Sequence, residues 1–432
     1  RSEAQGLASE ELSQVRKHRQ DKLEAIRERG LEPYPYTYDR THLAVEAISL
    51  FDQAEQAEGL DENGNGECVS VAGRITSYRS HGKSAFAHIE DRSGPVQIYF
   101  RRDVLGDEPF EALELLDLSD WIGVAGVLFR TRTGEVTVRV QEWTLLSKSL
   151  RPLPLGKTET DEETGERSTF SGFTDKEARY RQRYADLAVN PEVREVFRTR
   201  AKIISKLRSF LDGEDFLEVE TPALQPLYGG AAARPFLTKH NALDRTLYLR
   251  IADELYLKRL IVGGLEQVYE IGRIFRNEGV DFTHNPEFTM MESYEAFSDY
   301  NDMMGMVEEM VYTLALNVLG GATVEHEGQE VDLTPPWPRL SLRDEVERRT
   351  GIDFLKYADV SSLSAKMVAA GLEVGRQVSW GGLLDKLLSA AVEPHLVQPT
   401  FLVDYPVEMS PLAKKKRGDD RLVERFEVFV AG

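Results

Sequence analysis

Cysteine is almost absent: Cys68 is the only one in 432 residues. One thiol cannot close an intramolecular disulfide or build a cysteine-ligated zinc site, so a reducing, cytoplasmic home is expected. Long apolar runs are missing too. Charges interrupt every stretch approaching the roughly 20 residues of a spanning helix, and the first residues (RSEAQGLASEELSQ) lack the apolar centre of a secretory signal. There is no G-x-x-x-x-G-K-[ST], no G-x-G-x-x-G after a strand and no H-E-x-x-H, so P-loop, Rossmann and zincin chemistry have no support. Positive charge is in deficit, with 53 Lys and Arg against 73 Asp and Glu and a net charge of −20. Any nucleic acid would have to be held by local groups rather than by the overall field.

What is present reads as a soluble globular protein, 41% apolar and 29% charged, and too long for one ordinary core. Residues 9–29 carry a helical pattern, with Ser9 as the expected N-cap and Gly30 past the end. Leu12, Val15, Leu23 and Ile26 make its thin apolar stripe. Arg16, Lys17, Arg19 and Lys22 form a basic cluster, read as a solvated face, with a tRNA-contacting helix as the minority reading. From 69 to 147 the period becomes two: Val69, Val71, Gly73 and Ile75; Ala85, Ala87 and Ile89; Val96, Ile98 and Phe100. A short helix (110–118) and two strands (121–130, 135–145) complete the element order of an OB-fold barrel. The expected domains are a helical extension (1–60), an OB-fold (61–150), a linker (151–175) and an α+β domain from 176 to 432. The linker is marked by Pro152, Pro154, Gly156, Gly165 and the run Asp161-Glu162-Glu163. Beyond it, Asn190 and Pro191 open a helix that ends near Gly213, with Val193, Phe197, Ile204, Leu207 and Leu211 on one face. Strands dominate to about 296, amphipathic helix fills most of 303–395, and strands at 400–407 and 423–430 close the chain.

The chemistry concentrates in 267–296, QVYEIGRIFRNEGVDFTHNPEFTMMESYEA. It reads as a strand to Arg276, a loop, and a returning strand from Glu287. Side chains two apart share a face, so Phe288, Met290, Glu292 and Tyr294 line one surface, with Arg276 and Glu278 beside them. A half-exposed ordinary sheet accounts for the charges but not for Phe288 and Met290 among them. A pocket for an aromatic base, a phosphate and an ammonium uses all of them.

This stretch resembles motif 2 of the class II aminoacyl-tRNA synthetases. FLEVETPAL (216–224) resembles motif 1, whose proline is Pro222, and the segments 228–244 and 247–264 are similar to the lysyl branch of subclass IIb. The resemblance implies an OB-fold anticodon-binding domain followed by an antiparallel β-sheet catalytic domain flanked by helices, acting as a cytoplasmic homodimer on ATP, Mg²⁺, L-lysine and tRNA(Lys). It implies that Arg276 grips the ATP α-phosphate and the lysine carboxylate. Glu278 would take the adenine amino group, and Phe288 would stack on adenine. His284 and Asn285 would contact ATP. Glu254, beside the backbone of Gly230, would hold the α-ammonium. Glu292 and Tyr294 would hold the ε-ammonium, and Glu427 would bind Mg²⁺. Each has a plainer reading, such as an i, i+4 pair of Glu254 with Lys258. On the barrel, Phe86 and His88 take the outward parity and Gln97 points away from Val96 and Ile98. Phe86 offers a stacking platform, and Arg79, Phe86, Gln97 and Glu135 resemble the family's anticodon contacts.

The implied reaction is lysine activation to lysyl-adenylate and transfer to tRNA, by positioning and charge stabilisation. The family's second metal glutamate and motif 3 are not found within 1–432, so the expectation is a chain cut short of motif 3, with little ATP–pyrophosphate exchange of its own. The rival expectations are a non-catalytic tRNA-binding relative and a protein-lysylating one.

Overall fold

The computed structural model describes residues 2–160, 167–170, 172–281, 283–375 and 379–432. The chain divides into two compact units, Arg1–Arg194 and Glu195–Gly432. None of the described helices is long and apolar enough to cross a membrane.

The first unit opens with α1 (Ser2–Glu28) and α2 (Ala44–Gln56). Strands β1 (Asn65–His81), β2 (Ser84–Glu90) and β3 (Pro95–Arg101) follow, then two short helices, α3 (Arg102–Leu105) and α4 (Asp107–Glu111). Strands β4 (Trp121–Arg130) and β5 (Val136–Ser147) close the barrel in the order β1-β2-β3-β5-β4. Closure leaves no open sheet edge. The expected alternation holds: Val69, Val71, Ile75, Ala85, Ala87, Ile89, Val96, Ile98 and Phe100 all point into one core.

Helix α1 begins well before Ser9, which lies inside it rather than capping it. Its basic cluster is only partly solvated. Arg19 is buried and donates to the carbonyls of Ser149 (2.8 Å) and Leu118 (3.1 Å), while Lys22 reaches Asp117 (2.9 Å). Beneath them Lys148, with a fully buried side chain, bonds Asp117 (2.5 Å) and Asp120 (2.7 Å). Two cations of α1 thus clamp it onto the barrel, leaving Arg16 and Lys17 exposed.

The expected linker contains an antiparallel pair, β6 (Lys157–Thr160) and β7 (Arg167–Phe170). The acidic run 161–163 and Gly165 lie outside the described residues. Helices α5 (Lys176–Arg181) and α6 (Arg183–Val189) lead to α7 (Pro191–Gly213). The Asn190 side chain does not cap α7; it donates to Asp186 (2.7 Å).

In the second unit, β8 (Leu217–Glu218), β9 (Leu224–Gln225), β10 (Leu237–His240) and β11 (Arg245–Leu249) precede α8 (Glu254–Val262). The long hairpin β12 (Gln267–Phe275) and β13 (Glu287–Glu295) follows, with β8 parallel to β12. Its odd-numbered face, Tyr269, Ile271 and Met291, packs with Leu207 and Leu211 of α7 and with Phe216. The even-numbered face is left for α8 and the site.

After α9 (Tyr300–Leu319), the expected helical region is broken by a hairpin, β14 (Thr323–His326) and β15 (Gln329–Asp332). Gly320, with φ +82°, ends α9, and Glu327-Gly328, both at positive φ, turn the hairpin. Strand β16 (Arg339–Ser341) and helices α10 (Leu342–Thr350), α11 (Val360–Ala369) and α12 (Trp380–Ala391) come next. Strands β17 (Thr400–Pro406), β18 (Lys415–Lys416) and β19 (Asp419–Phe429) join β16 in a sheet of order β16-β17-β19-β18. The helices bury Leu342, Val346, Leu363, Leu384 and Leu387 against its Leu402 and Val423.

Candidate active site and nucleic-acid face

The β12–β13 register pairs Glu270 with Glu292, Gly272 with Met290 and Ile274 with Phe288, which places the even-numbered residues on one face. Arg276 lies one residue past β12, and its N–H donates to the Pro286 carbonyl (2.9 Å), so pairing outlasts the strand. Its guanidinium sits 5.3 Å from the Phe288 ring centroid, and its Nε donates to the Ile251 carbonyl (3.3 Å). A cation held against a ring and tethered to the main chain is already ordered before any ligand arrives.

The same face carries an acidic cluster. Glu292 accepts the Asp253 N–H through Oε1 (3.0 Å) and the Tyr294 hydroxyl through Oε2 (3.0 Å). Burial, then Glu292 and Glu254, push the Tyr294 phenol above its ordinary range, so it stays a donor. Glu254 opens α8 and accepts from Lys258 (2.6 Å), the plain i, i+4 pair weighed from the sequence. That bond uses Oε1 alone. Gly230, at φ +88°, lies against the same side chain: a Cβ there would meet Glu254 Cβ at 2.9 Å and Ala252 Cβ at 3.0 Å. Only glycine both adopts this backbone and leaves that space free.

Behind this layer is a charged network that the sequence reading missed. Arg250 bonds Glu270 (2.5 Å) and lies 3.0 Å from Asp253, and all three side chains are almost wholly buried. Glu270 also accepts from the Thr221 hydroxyl (2.6 Å) and N–H. The available signal was the glutamate at an inward position between Val268 and Gly272.

The remaining expected ligands stand apart. Glu278 lies beyond the strand, exposed, rather than continuing the face with Arg276. His284 and Asn285 are exposed in the loop, and His284 Nδ1 contacts Asp281 (2.8 Å). The main-chain N–H of Thr283 and the His284 ring hold the Asp281 carboxyl well below the usual range. Pro222 is exposed between β8 and β9, where its carbonyl accepts from Gln225 (3.1 Å). Glu427 accepts the Tyr405 hydroxyl through Oε2 (3.1 Å) and pairs with Arg425 through Oε1. With both oxygens engaged and a guanidinium alongside, it does not fit a protein-built metal site. Among the described residues no group of three or more His, Cys, Asp or Glu could hold an ion.

On the barrel, Arg79, Phe86 and Gln97 lie on the outer face of β1, β2 and β3, and Glu135 stands just before β5. Arg79 pairs in register with Phe86, and Phe86 with Tyr99. Phe86 is half-buried because Tyr99 stacks on it, with centroids 4.2 Å apart and planes at 20°. Tyr99 then leans toward Phe129 (6.0 Å), which carries the Arg139 guanidinium 4.5 Å from its centroid. Tyr99 was missed, although it shares Gln97's outward parity. Glu135 receives Gln97 Nε2 (2.8 Å) and faces His88 Nε2 (2.8 Å), while the Thr137 hydroxyl donates to Gln97 Oε1 (2.8 Å). This fixes the Gln97 amide, as base-edge recognition requires.

Residues 175–432 match the family of tRNA synthetases class II (D, K and N), and residues 69–146 match the OB-fold nucleic acid binding domain. The chain is 49% identical over 425 residues to the lysine–tRNA ligase of Pelotomaculum thermopropionicum, covering 98% of this chain and 79% of that protein. It is 50% identical over 424 residues to the lysine–tRNA ligase of a Roseiflexus species, covering 98% and 82%. With that of Carboxydothermus hydrogenoformans it shares 47% over 426 residues, covering 99% and 83%.

Proposed function

The chain belongs to the class II tRNA synthetases and, within them, to the lysine–tRNA ligases, and from that premise we propose how its residues divide the work. The activity is ligation of L-lysine to tRNA(Lys): the lysine carboxylate attacks the ATP α-phosphate, pyrophosphate leaves, and the lysyl group passes from AMP to a ribose hydroxyl of the tRNA. No enzyme nucleophile is needed. The catalytic load falls on positioning the two substrates and neutralising charge at the α-phosphate.

Arg276 takes the α-phosphate and the lysine carboxylate, a bidentate task for which its packing over Phe288 prepares it. Phe288 offers its ring to adenine. Glu278, His284 and Asn285, exposed in the loop, fold onto ATP when it binds. Glu254 and the Gly230 backbone take the α-ammonium, with Lys258 sharing the carboxylate. Glu292, oriented by Tyr294 and the Asp253 N–H, takes the ε-ammonium. Magnesium supplies charge neutralisation at the phosphates in this family; Glu427 as it stands does not provide its site, and no step here runs through the ion. Phe86 stacks on an anticodon base, with Gln97 and Glu135 reading edges and Arg79 at the rim. Exposed Val196, Phe197, Ile203, Leu224, Leu227 and Tyr228, near motif 1 and Pro222, support a homodimer interface. The exposed free thiol of Cys68 suits a reducing cytoplasm.

The observation that carries this reading is the ordered Arg276–Phe288 pair on the same sheet face as the Glu292–Tyr294 acid. Its test is lysine-dependent ATP–pyrophosphate exchange by the intact gene product, with ornithine and arginine as competitors. Arg276→Lys should lower kcat by roughly a hundredfold or more, as loss of a transition-state donor does. Exchange that proceeds without lysine, or faster with ornithine, would refute the assignment.

A further inference from the structure

We propose that Asp253 is a positioning carboxylate of the lysine pocket, which fixes Glu292 through its main chain and gives up a proton to solvent when the substrate's ammonium group arrives. The proposal rests on the reading of Glu292 and Tyr294 as the ammonium site.

Asp253 occupies the N-cap position of α8, where an aspartate ordinarily accepts an N–H of the first turn, yet its side chain makes no cap bond. The carboxyl group is instead fully buried, and neither oxygen receives a hydrogen bond. Arg250 Nη1 lies 3.0 Å from Oδ1, within ion-pair range but outside hydrogen-bond alignment, because that nitrogen is directed at Glu270 (2.5 Å).

The groups facing Asp253 are Arg250 on the approach to α8, Glu254 on α8, Glu270 on β12, and Glu292 and Tyr294 on β13. This set includes three carboxylates, Asp253, Glu270 and Glu292, and one buried guanidinium, which pairs with the first two. With all three ionised, three negative charges face one positive, at a cost that grows steeply with burial. Holding a proton on one of them halves the excess of negative charge. Asp253 is the member without donors, and burial, opposed by Arg250 and reinforced by Glu270 and Glu292, raises its carboxyl to about 7.

An ammonium at Glu292 brings a second positive charge into the set. Asp253 then ionises: its O–H bond breaks, the proton leaves to water, and the incoming cation balances the new carboxylate. No other bond changes. A neutral or shorter side chain cannot trigger the exchange, so the device adds to discrimination for lysine.

The test is calorimetric titration of lysine into the intact gene product, in two buffers of different ionisation enthalpy, at about pH 6 and about pH 8.5. Wild type should release about 0.5–1 proton per lysine at the lower pH and almost none at the higher. Asp253→Asn keeps the main-chain bond to Glu292; it should still bind lysine and release almost none at either pH. A merely structural role for Asp253 would alter stability or affinity without changing the proton count. Buffer-independent heats for wild type, or an Asn variant that releases as many protons as wild type, overturn the proposal. Should the Asn variant not fold, the wild-type proton count at the lower pH decides alone. Failure of wild type to bind lysine at all would instead overturn the pocket assignment on which the proposal rests.

Discussion

Gly272→Ala is a methyl-sized change at a position with ordinary strand geometry, and the structure makes it a severe one. Alanine in place of a strand glycine normally stabilises by about 0.4–1 kcal/mol, by restricting the unfolded chain. Here a Cβ on Gly272 would lie 3.0 Å from Arg250 Cζ and closer still to its Nη2, inside the guanidinium's own space. Arg250 must withdraw or β12 must bend. Withdrawal strands Glu270, with a side chain 5% exposed, without its cation. Losing one partner of a buried pair costs about 3–5 kcal/mol, so the balance is about 2–4 kcal/mol of destabilisation. Hydrogen exchange of the β12 amides reports on this sheet without mixing in the barrel, and about 3 kcal/mol appears there as roughly a hundredfold loss of protection. Gly305→Ala on α9 is the control of opposite sign: nothing lies within 4 Å of the added methyl, and about 0.5–1 kcal/mol of stabilisation is expected. Undiminished β12 protection in Gly272→Ala would refute the account of Arg250 as the cation on which buried Glu270 depends.

Phe86→Leu should weaken binding of the anticodon stem-loop roughly 5–150-fold, the worth of about 1–3 kcal/mol of base stacking, in anisotropy titrations at fixed salt. Phe86→Tyr should stay near wild type, and a loss under about twofold for the leucine variant contradicts the stacking role. Lys148→Met should destabilise the barrel unit by about 3–5 kcal/mol in urea titrations, because Asp120 and Asp117 lose their shared cation; adding Asp120→Asn should recover part of it. A single variant as stable as wild type would show that the clamp contributes nothing. Asp353 is held down to about 2 by Arg343 (2.8 and 2.5 Å), against the effect of burial. A depressed carboxyl stabilises above its unfolded value near 4, so about 1–2.5 kcal/mol should vanish as pH falls from about 4 to about 2, and Asp353→Asn should lack that component. Identical acid profiles for the two proteins would dismiss it.

Period-two patterning made the barrel and the β12–β13 hairpin legible. Ala85, Ala87 and Ile89 are inside, Glu287 opens β13, and Arg276 and Phe288 meet as their parity requires. Parity failed where the strand stopped: Glu278 shares it with Arg276, but the backbone has left the sheet. The buried network was hidden for another reason. Arg250 and Glu270 are twenty residues apart, and only a folded chain brings a guanidinium over Gly272. The basic residues of α1 look alike in the sequence, yet Arg19 is buried while Lys17 is free. Their acceptors, including the Ser149 carbonyl and Asp117, lie in distant loops whose backbone geometry no local pattern encodes. The β14–β15 hairpin was readable in principle, since Gly328 follows a short alternating run, but helical signals on both sides masked it.

The clamp that seats α1 has a consequence for how the polypeptide is made. Arg19 finds its acceptor 130 residues downstream, and Lys22 finds its own 95 residues downstream. At roughly 5–20 residues per second, synthesis separates Arg19 from Ser149 by roughly 6–26 s. Throughout that interval the helix has no finished barrel to rest on, and Leu23 and Ile26, buried in the finished protein, stay exposed. A helix made before the barrel is therefore among the last elements to be secured in its unit, and chaperones that attend nascent chains would meet it bare.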